Sequence, residues 1–91
     1  MIPRSVVILG REYKVRRKRM TEFALCCDDS ERIYLRSGLK GDAADQSLLH
    51  EVIHATLFRS GSKFQLEPKQ EEALVRALEH GIWQAGYRLQ Q

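Results

Sequence analysis

The residues best suited to chemistry in this sequence are two histidines and a glutamate in the segment His50-Glu51-Val52-Ile53-His54. In an α-helix each residue turns by about 100°, so His50 and His54 lie roughly 40° apart on one helix face. Two imidazoles one turn apart can hold one metal ion, and Glu51 is rotated towards the same side. The pattern predicts a hydrolytic centre in which zinc polarises a carbonyl and lowers the pKa of water, while Glu51 acts as general base.

The residues around this motif are mostly apolar, which predicts a buried helix: Leu48, Leu49, Val52, Ile53, Ala55, Leu57 and Phe58. Burying two imidazoles and a carboxylate without partners is costly. A metal ion satisfies these groups, and hydrogen bonding within a metal-free core is the alternative interpretation. Metal binding is the favoured one, and we expect one zinc ion per chain.

A catalytic zinc usually has three protein ligands and one open position for water. Five side chains after the motif are candidates for the third ligand: Glu67, Glu71, Glu72, Glu79 and His80. The second predicted helix has an apolar stripe at Leu74, Val75, Leu78 and Ile82. Helical periodicity puts Glu71 near the centre of the stripe, and Glu72 and Glu79 at its edge. Helix geometry therefore favours Glu71, although acidic residues in a first turn also interact favourably with the helix dipole.

The elements that must position this motif begin with a strand-rich first half. Four stretches have the apolar or alternating pattern of β-strands: Val6–Leu9, Glu12–Arg16, Phe23–Cys27 and Arg32–Arg36. The sequence between the last two, Asp28-Asp29-Ser30-Glu31, has turn chemistry. These two stretches are therefore predicted to form a hairpin.

The second half predicts two helices. The first is capped by Asp42 or Asp45 and runs to about Arg59, while the second opens at Pro68 and ends near Gly86. The fold class is therefore α+β, with a small antiparallel-rich sheet of about three to four strands followed by two packed helices. A length of 91 residues predicts a single domain covering residues 1–91.

Composition is that of an ordinary globular protein, with 43% hydrophobic and 30% charged residues. No apolar run approaches the roughly 20 residues that span a bilayer, and the first residues lack a signal-peptide core, so we expect a cytoplasmic protein with no membrane partner. The adjacent Cys26 and Cys27 are typical of ordinary reduced thiols. A net charge of +3 does not by itself indicate a nucleic-acid partner. A local run could contact phosphate, although a solvated strand end is the simpler interpretation: Arg16, Arg17, Lys18 and Arg19.

The order of these features resembles the minimal gluzincin-type metallopeptidases of the ImmA/IrrE-type family, which phages and prophages encode. The similarity in organisation covers about residues 23 to 86, and only the histidine motif is specific. In that family a glutamate of the second helix is the third zinc ligand, with small or apolar residues three, six and ten positions later. Counting from Glu72 gives Val75, Leu78 and Ile82, which fits better than the count from Glu71. The resemblance therefore favours Glu72, with Glu71 as the alternative; Glu79 departs from the small residue usual at its position.

The resemblance implies a minimal zincin-like fold and cleavage of a protein such as a repressor in the host cytoplasm. An extended substrate would then pair with the edge strand before the motif helix. That strand is predicted to consist of Arg32, Ile33, Tyr34, Leu35 and Arg36. The motif helix is also similar to that of SprT-like proteases, which act on proteins attached to DNA. Those have a third histidine in a His-Gly segment soon after the helix, whereas here His80-Gly81 comes late.

A second class of function is a non-catalytic, zinc-stabilised interaction module of the regulatory kind found in phages and prophages. The chain is small for a protease, and no residue stands out as a transition-state stabiliser among Tyr34, Arg36, Arg76 and Tyr87. A structural zinc, however, normally has four protein ligands, often including cysteine. Three ligands together with the base Glu51 favour the peptidase.

Overall fold

The structure is a computed structural model that describes residues 2–86, apart from the side chains of Lys63 and Phe64. Four strands come first: β1 (Ser5–Ile8), β2 (Arg11–Lys18), β3 (Ala24–Cys27) and β4 (Arg32–Arg36). They are followed by helix α1 (Gly41–Ser60), a short 3-10 helix (Ser62–Gln65) and helix α2 (Pro68–Gln84). The predicted α+β fold, with a four-stranded sheet followed by two helices, is therefore confirmed.

The sheet has the strand order β1-β2-β4-β3 and is mixed. The pairs β1–β2 and β3–β4 are antiparallel, whereas β2 and β4 run parallel. Strands β1 and β2 are joined by a tight two-residue turn, in which Leu9 and Gly10 have positive φ angles of 47° and 85°. Two consecutive positive φ angles are typical of the hairpin turn whose twist matches that of the strands it joins. The predicted hairpin between β3 and β4 is confirmed, and the two edges of the sheet are β1 and β3.

The prediction that residues 32–36 form an edge strand is wrong. Strand β4 pairs with β2 on one side, through Val15 opposite Ile33, and with β3 on the other, through Ala24 opposite Leu35. The reason is its inner face, where Ile33 and Leu35 are both 0% exposed. A strand with two large aliphatic side chains on one face buries more apolar surface at the centre of a sheet than at its edge.

Helix α1 lies between the sheet and α2, which explains why it is apolar on several sides. Leu48 and Ala55 pack on the sheet together with the inner residues of its strands. Leu49 and Ile53 pack on the other side against Val75 of α2. The predicted burial of the motif helix is confirmed, and His50 and His54 lie where α1 meets α2. Within the described residues, no helix is long and apolar enough to cross a bilayer.

A polar network fixes the end of α1 against the sheet. The Tyr13 hydroxyl donates to Asp28 Oδ1 at 2.8 Å and accepts from Arg59 Nε at 2.8 Å. Arg59 Nη2 also donates to the Asp28 carbonyl at 3.0 Å. Burial and the Asp28 hydrogen bond raise the pKa of Tyr13 to about 12, so the phenol remains a donor at neutral pH. The network joins α1, β2 and the β3–β4 turn, and so holds the motif helix in one position relative to the sheet.

Candidate metal centre

The two motif histidines face each other through the same ring atom. His50 Nε2 and His54 Nε2 lie 3.2 Å apart, and the ring centroids are 4.8 Å apart at an interplanar angle of 62°. Both residues lie in α1, one turn apart, as the sequence spacing predicts. The two nitrogens therefore converge on one point beside α2.

The opposite ring nitrogens are each bound by a carboxylate of α2. His50 Nδ1 lies 2.6 Å from Glu79 Oε1, and His54 Nδ1 lies 2.7 Å from Glu71 Oε2. A carboxylate accepts, so this network assigns the proton to Nδ1 in both rings and leaves lone pairs on both Nε2 atoms. Two lone pairs facing each other at 3.2 Å repel unless a cation lies between them. A carboxylate behind each imidazole is also the usual surrounding of a histidine that binds a metal.

Glu72 completes a group of three candidate ligands. Its Oε1 lies 3.4 Å from His50 Nε2, and its Oε2 lies 3.4 Å from His54 Nε2. Two ligand atoms bound to a tetrahedral zinc at ~2.0–2.1 Å lie about 3.3 Å apart. The separation of the two nitrogens and that of each nitrogen from its nearer Glu72 oxygen are close to this value, although the two short contacts involve different oxygens of Glu72. With one ligand atom from each residue, the donor atoms of His50, His54 and Glu72 lie within 4.8 Å of one another, close enough to hold a metal. Nitrogen and carboxylate donors of this kind suit zinc and also other divalent ions.

The remaining candidates for the third ligand have other positions. Glu67 caps α2 in a reciprocal arrangement with Gln70, and His80 is exposed and lies outside the three-residue group. The spacing of residues in the sequence did not predict that Glu71 and Glu79 bind the Nδ1 atoms of the histidines. The signal for it is the occurrence of acidic residues within the apolar stripe of α2, where an unpaired carboxylate would be costly.

Glu51 lies in an open cleft of about 420 Å³ next to His50 and Glu79. The cleft is bounded on the sheet side by Phe23 and Ala24, at the β3 edge. Burial raises the pKa of the Glu51 carboxyl, and the charge that His50 and His54 can carry opposes this effect. A raised pKa brings a carboxylate closer to the range in which a general base works well near neutral pH.

The five residues predicted to bind substrate do not line this cleft. Ile33 and Leu35 belong to the core, and the side chains of Arg32, Tyr34 and Arg36 alternate with them and so point to the other face of the sheet. The strand beside the cleft is β3, because it pairs outside β4. Periodicity identified both strands but not their order in the sheet, and this order decides which strand borders the site.

Of the proposed transition-state stabilisers, Arg76 lies nearest to the ligand group. Its Nε is 3.6 Å from Glu72 Oε1. Tyr34 and Arg36 lie on the far face of the sheet, where the Lys18 ammonium sits over the Tyr34 ring and the Arg36 guanidinium over the Phe23 ring. Tyr87 lies outside the described residues. Within the described part of the chain, Arg76 is thus the one of these four groups that contacts a member of the ligand group, namely Glu72.

Replacing Glu79 with glutamine should weaken zinc binding by about 10- to 100-fold, as loss of such outer carboxylates typically does. The amide oxygen can still accept from His50 Nδ1, but it no longer makes the imidazole more basic. Zinc affinity measured by competition with a chromogenic chelator checks this. Glu12→Gln is the matched control, because it removes the same charge on the opposite face of the sheet and should leave the affinity unchanged. Equal affinities of wild-type and Glu79→Gln protein would contradict the assignment of Glu79 as the partner of a metal ligand.

Comparisons of the chain with protein-family models, with curated proteins and with solved structures found no match. The geometry of the ligand group and the chemistry of its donors therefore carry the interpretation. On these grounds alone, the region where α1 meets α2 is a candidate metal centre, formed by His50, His54 and Glu72 and bordered by Glu51.

Proposed function

We propose that the chain is a zinc-dependent peptidase-type hydrolase, akin to the ImmA/IrrE-type metallopeptidases, in which His50, His54 and Glu72 hold the metal and Glu51 is the general base. The observation that carries the proposal is the convergence of two lone-pair nitrogens and one carboxylate, each imidazole backed by its own carboxylate. A structural zinc is normally closed by four protein ligands. Here the group has three, and it borders an open cleft that contains Glu51.

When bound, zinc supplies Lewis-acid chemistry: it polarises the scissile carbonyl and makes water more acidic. Glu51 accepts a proton from the attacking water and delivers it to the leaving amine. Its half-buried position favours this, because partial burial raises the pKa of the carboxyl and so makes it a stronger base. Glu71 and Glu79 hold the imidazoles in the orientation that directs Nε2 towards the metal. Arg76 Nε lies 3.6 Å from Glu72 Oε1 at the rim of the ligand group, and we assign to it the stabilisation of a developing oxyanion.

The outer edge of β3 is the proposed docking strand for an extended substrate. The Arg36 N–H donates to the Phe23 carbonyl at 2.8 Å. Backbone pairing alternates along an antiparallel ladder, so Leu25 and Cys27 also face β4, while the N–H and C=O groups of Ala24 and Cys26 point outwards. Among residues 2–86 no other strand pairs with this edge. A peptide added there would lie along the cleft that contains Glu51.

Incubating the zinc-loaded protein with a mixture of unstructured peptides should give cleavage products detectable by mass spectrometry. Chelation should abolish them, and added zinc should restore them. For a cleaved peptide, methylating the backbone nitrogen that bonds to β3 should lower kcat/KM by about 10- to 100-fold, because one main-chain hydrogen bond is lost and its partner is left unpaired. The matched control carries the methyl on the adjacent nitrogen, which points away from β3. A protein with one bound zinc that cleaves no peptide in a diverse mixture would argue against the peptidase.

A zinc-stabilised interaction module is the second candidate, and one observation favours it. Leu74 and Leu78 of α2 lie one turn apart and are 38% and 41% exposed, which provides an apolar strip to which a partner protein could bind. The two functions differ in their dependence on Glu51. A module should bind its partner equally well when Glu51 becomes glutamine and should fail only when His50 or His54 is replaced.

A further inference from the structure

The face of the sheet that points away from α1 carries a concentration of positive charge. On β2 the buried residues are Tyr13 and Val15, and on β4 they are Ile33 and Leu35. The residues that alternate with them therefore share the opposite, outer face. The parallel register aligns them in rows, with Lys14 opposite Arg32, Arg16 opposite Tyr34 and Lys18 opposite Arg36.

We call these residues the basic face: Lys14, Arg16, Lys18, Arg32 and Arg36, together with Tyr34. The acidic side chain on the same face of β2 is Glu12, which pairs with Lys14 at 3.7 Å. Within residues 2–86, the other four cations have no ion pair with a carboxylate, although Arg16 Nη1 donates to the Arg4 and Val15 carbonyls and Arg36 Nη1 to the Thr21 carbonyl. Helix α1 packs on the inner side of the sheet, and α2 packs on the far side of α1. In the described part of the chain, this face is open to solvent.

Positive charge continues from the basic face around the β1 edge. A groove of about 660 Å³ lies beside the start of β1, and its lining contains Arg4, Lys14, Arg16 and Arg17. The carboxylates Glu51, Glu71, Glu72 and Glu79 lie on the other side of the sheet, around the two histidines. The net charge is only +3, but positive charge is concentrated on the outer face of the sheet and negative charge around the two histidines.

Aromatic rings lie among these cations. The Lys18 ammonium lies 5.0 Å from the centre of the Tyr34 ring, in the middle of the face. The Arg36 guanidinium lies 4.6 Å from the centre of the Phe23 ring, which is 54% exposed at the end of the face. Rings interspersed with cations suit a chain that alternates planar bases with phosphates. An acidic peptide would use the cations but would have no counterpart for the rings.

We propose that the basic face binds a single strand of nucleic acid, with phosphates on its arginine and lysine side chains and bases stacked on Tyr34 and Phe23. Three observations support this: the four cations that lack a carboxylate partner within residues 2–86, the adjoining basic groove, and the two rings, of which Phe23 is exposed and Tyr34 half-buried. The basic sequence at positions 16–19 predicted only part of this surface, because alternate residues of a strand point to opposite faces of the sheet. Arg17 instead donates to the Arg36 and Leu39 carbonyls, at 3.2 and 2.6 Å.

The test is fluorescence anisotropy with a labelled single-stranded DNA oligonucleotide of mixed sequence. At low salt we expect saturable binding whose logarithmic dependence on salt has a slope of about −3, since each contacted phosphate of a single strand contributes about −0.7. The double variant Arg16→Glu/Arg32→Glu should weaken binding by at least about 30-fold and flatten this slope by about 1.4, because two phosphate contacts are lost. Tyr34→Leu should weaken it by about 5- to 50-fold through loss of stacking.

The matched control is Lys40→Glu/Lys69→Glu, which makes the same change in net charge at two exposed positions, one immediately before α1 and one in α2. It should change the affinity by less than about threefold at 0.1 M salt, where the Debye length is about 10 Å. Equal losses in the two double variants would overturn the proposal in favour of a net-charge effect. Equal affinity for the same sequence as a duplex would overturn the single-strand assignment, and so would binding that is unaffected by Tyr34→Leu. Circular dichroism of each variant verifies that it is folded.

Discussion

Replacing Glu72 with alanine should leave the protein without bound metal, whereas replacing its neighbour Glu71 with alanine should leave a site that still binds zinc. One Glu72 oxygen lies 3.4 Å from His50 Nε2 and the other lies 3.4 Å from His54 Nε2, so Glu72→Ala leaves two nitrogen ligands only. Glu71 instead accepts from His54 Nδ1 at 2.7 Å, so its loss should weaken zinc affinity by about 10- to 100-fold. Zinc per chain, measured by plasma mass spectrometry after dialysis, should fall from one to near zero in Glu72→Ala but not in Glu71→Ala.

These two variants control for each other, because they remove the same side chain from adjacent positions in the first turns of α2. The two substitutions change the net charge equally and should have similar effects on the stability of α2. His50→Ala should match Glu72→Ala in zinc content, since it also removes a ligand. Zinc retained by Glu72→Ala and lost by Glu71→Ala would transfer the ligand role to Glu71. The same zinc content in all the variants would mean that the ion binds elsewhere.

The histidine motif predicted that His50 and His54 lie side by side, because helical geometry alone relates positions 50 and 54. One turn of helix brings two side chains together whatever the rest of the fold does. The burial of the motif helix followed equally directly from its apolar residues. In the structure α1 lies between the sheet and α2, and Leu48 and Leu49 pack on opposite sides of it.

Which glutamate of α2 faces the histidine Nε2 atoms could not be predicted from the spacing of residues in the sequence. Periodicity ranked Glu71 above Glu72, because Glu71 lies nearer the centre of the packed stripe. That ranking was physically sound, and both residues do reach α1. The direction of the imidazole rings decides which one meets Nε2, and this direction depends on Glu79 as well. Such a three-body arrangement cannot be derived from the spacing of one helix.

The strand order was the main error of the sequence reasoning, and it has a definite cause. Strand β4 precedes the motif helix, and the resemblance to zincin peptidases implied that the strand in this place is an edge strand that pairs with substrate. The parallel pairing of β2 with β4 places β4 inside the sheet and moves β3 to the edge. The pairing of distant strands depends on how well their faces fit, here Val15 beside Ile33. Local periodicity shows which residues share a face but does not show which strand lies next to which.

Replacing Glu51 with glutamine should lower the rate of peptide hydrolysis by about 10²- to 10⁴-fold, the usual contribution of a positioned general base. The two side chains have nearly the same shape, so the cleft and the histidines should be undisturbed. Zinc content should remain at one per chain, because Glu51 does not belong to the ligand group. The measurement is kcat/KM for one cleaved peptide, with zinc content determined on the same sample. Glu12→Gln is the control with the same chemical change outside the cleft.

The same variant should also be more stable than the wild-type protein when both are free of metal. Burial raises the folded-state pKa of Glu51 above its unfolded value of about 4.3. The stabilisation associated with a protonated Glu51 is therefore complete below the unfolded pKa and is lost as pH rises through the folded pKa. Glutamine does not titrate, so the variant should have the higher melting temperature at neutral pH, with the difference closing as pH falls. A variant that is more stable, holds zinc and yet hydrolyses nothing would identify Glu51 as a half-buried charge maintained for catalysis. Undiminished hydrolysis would exclude it as the base.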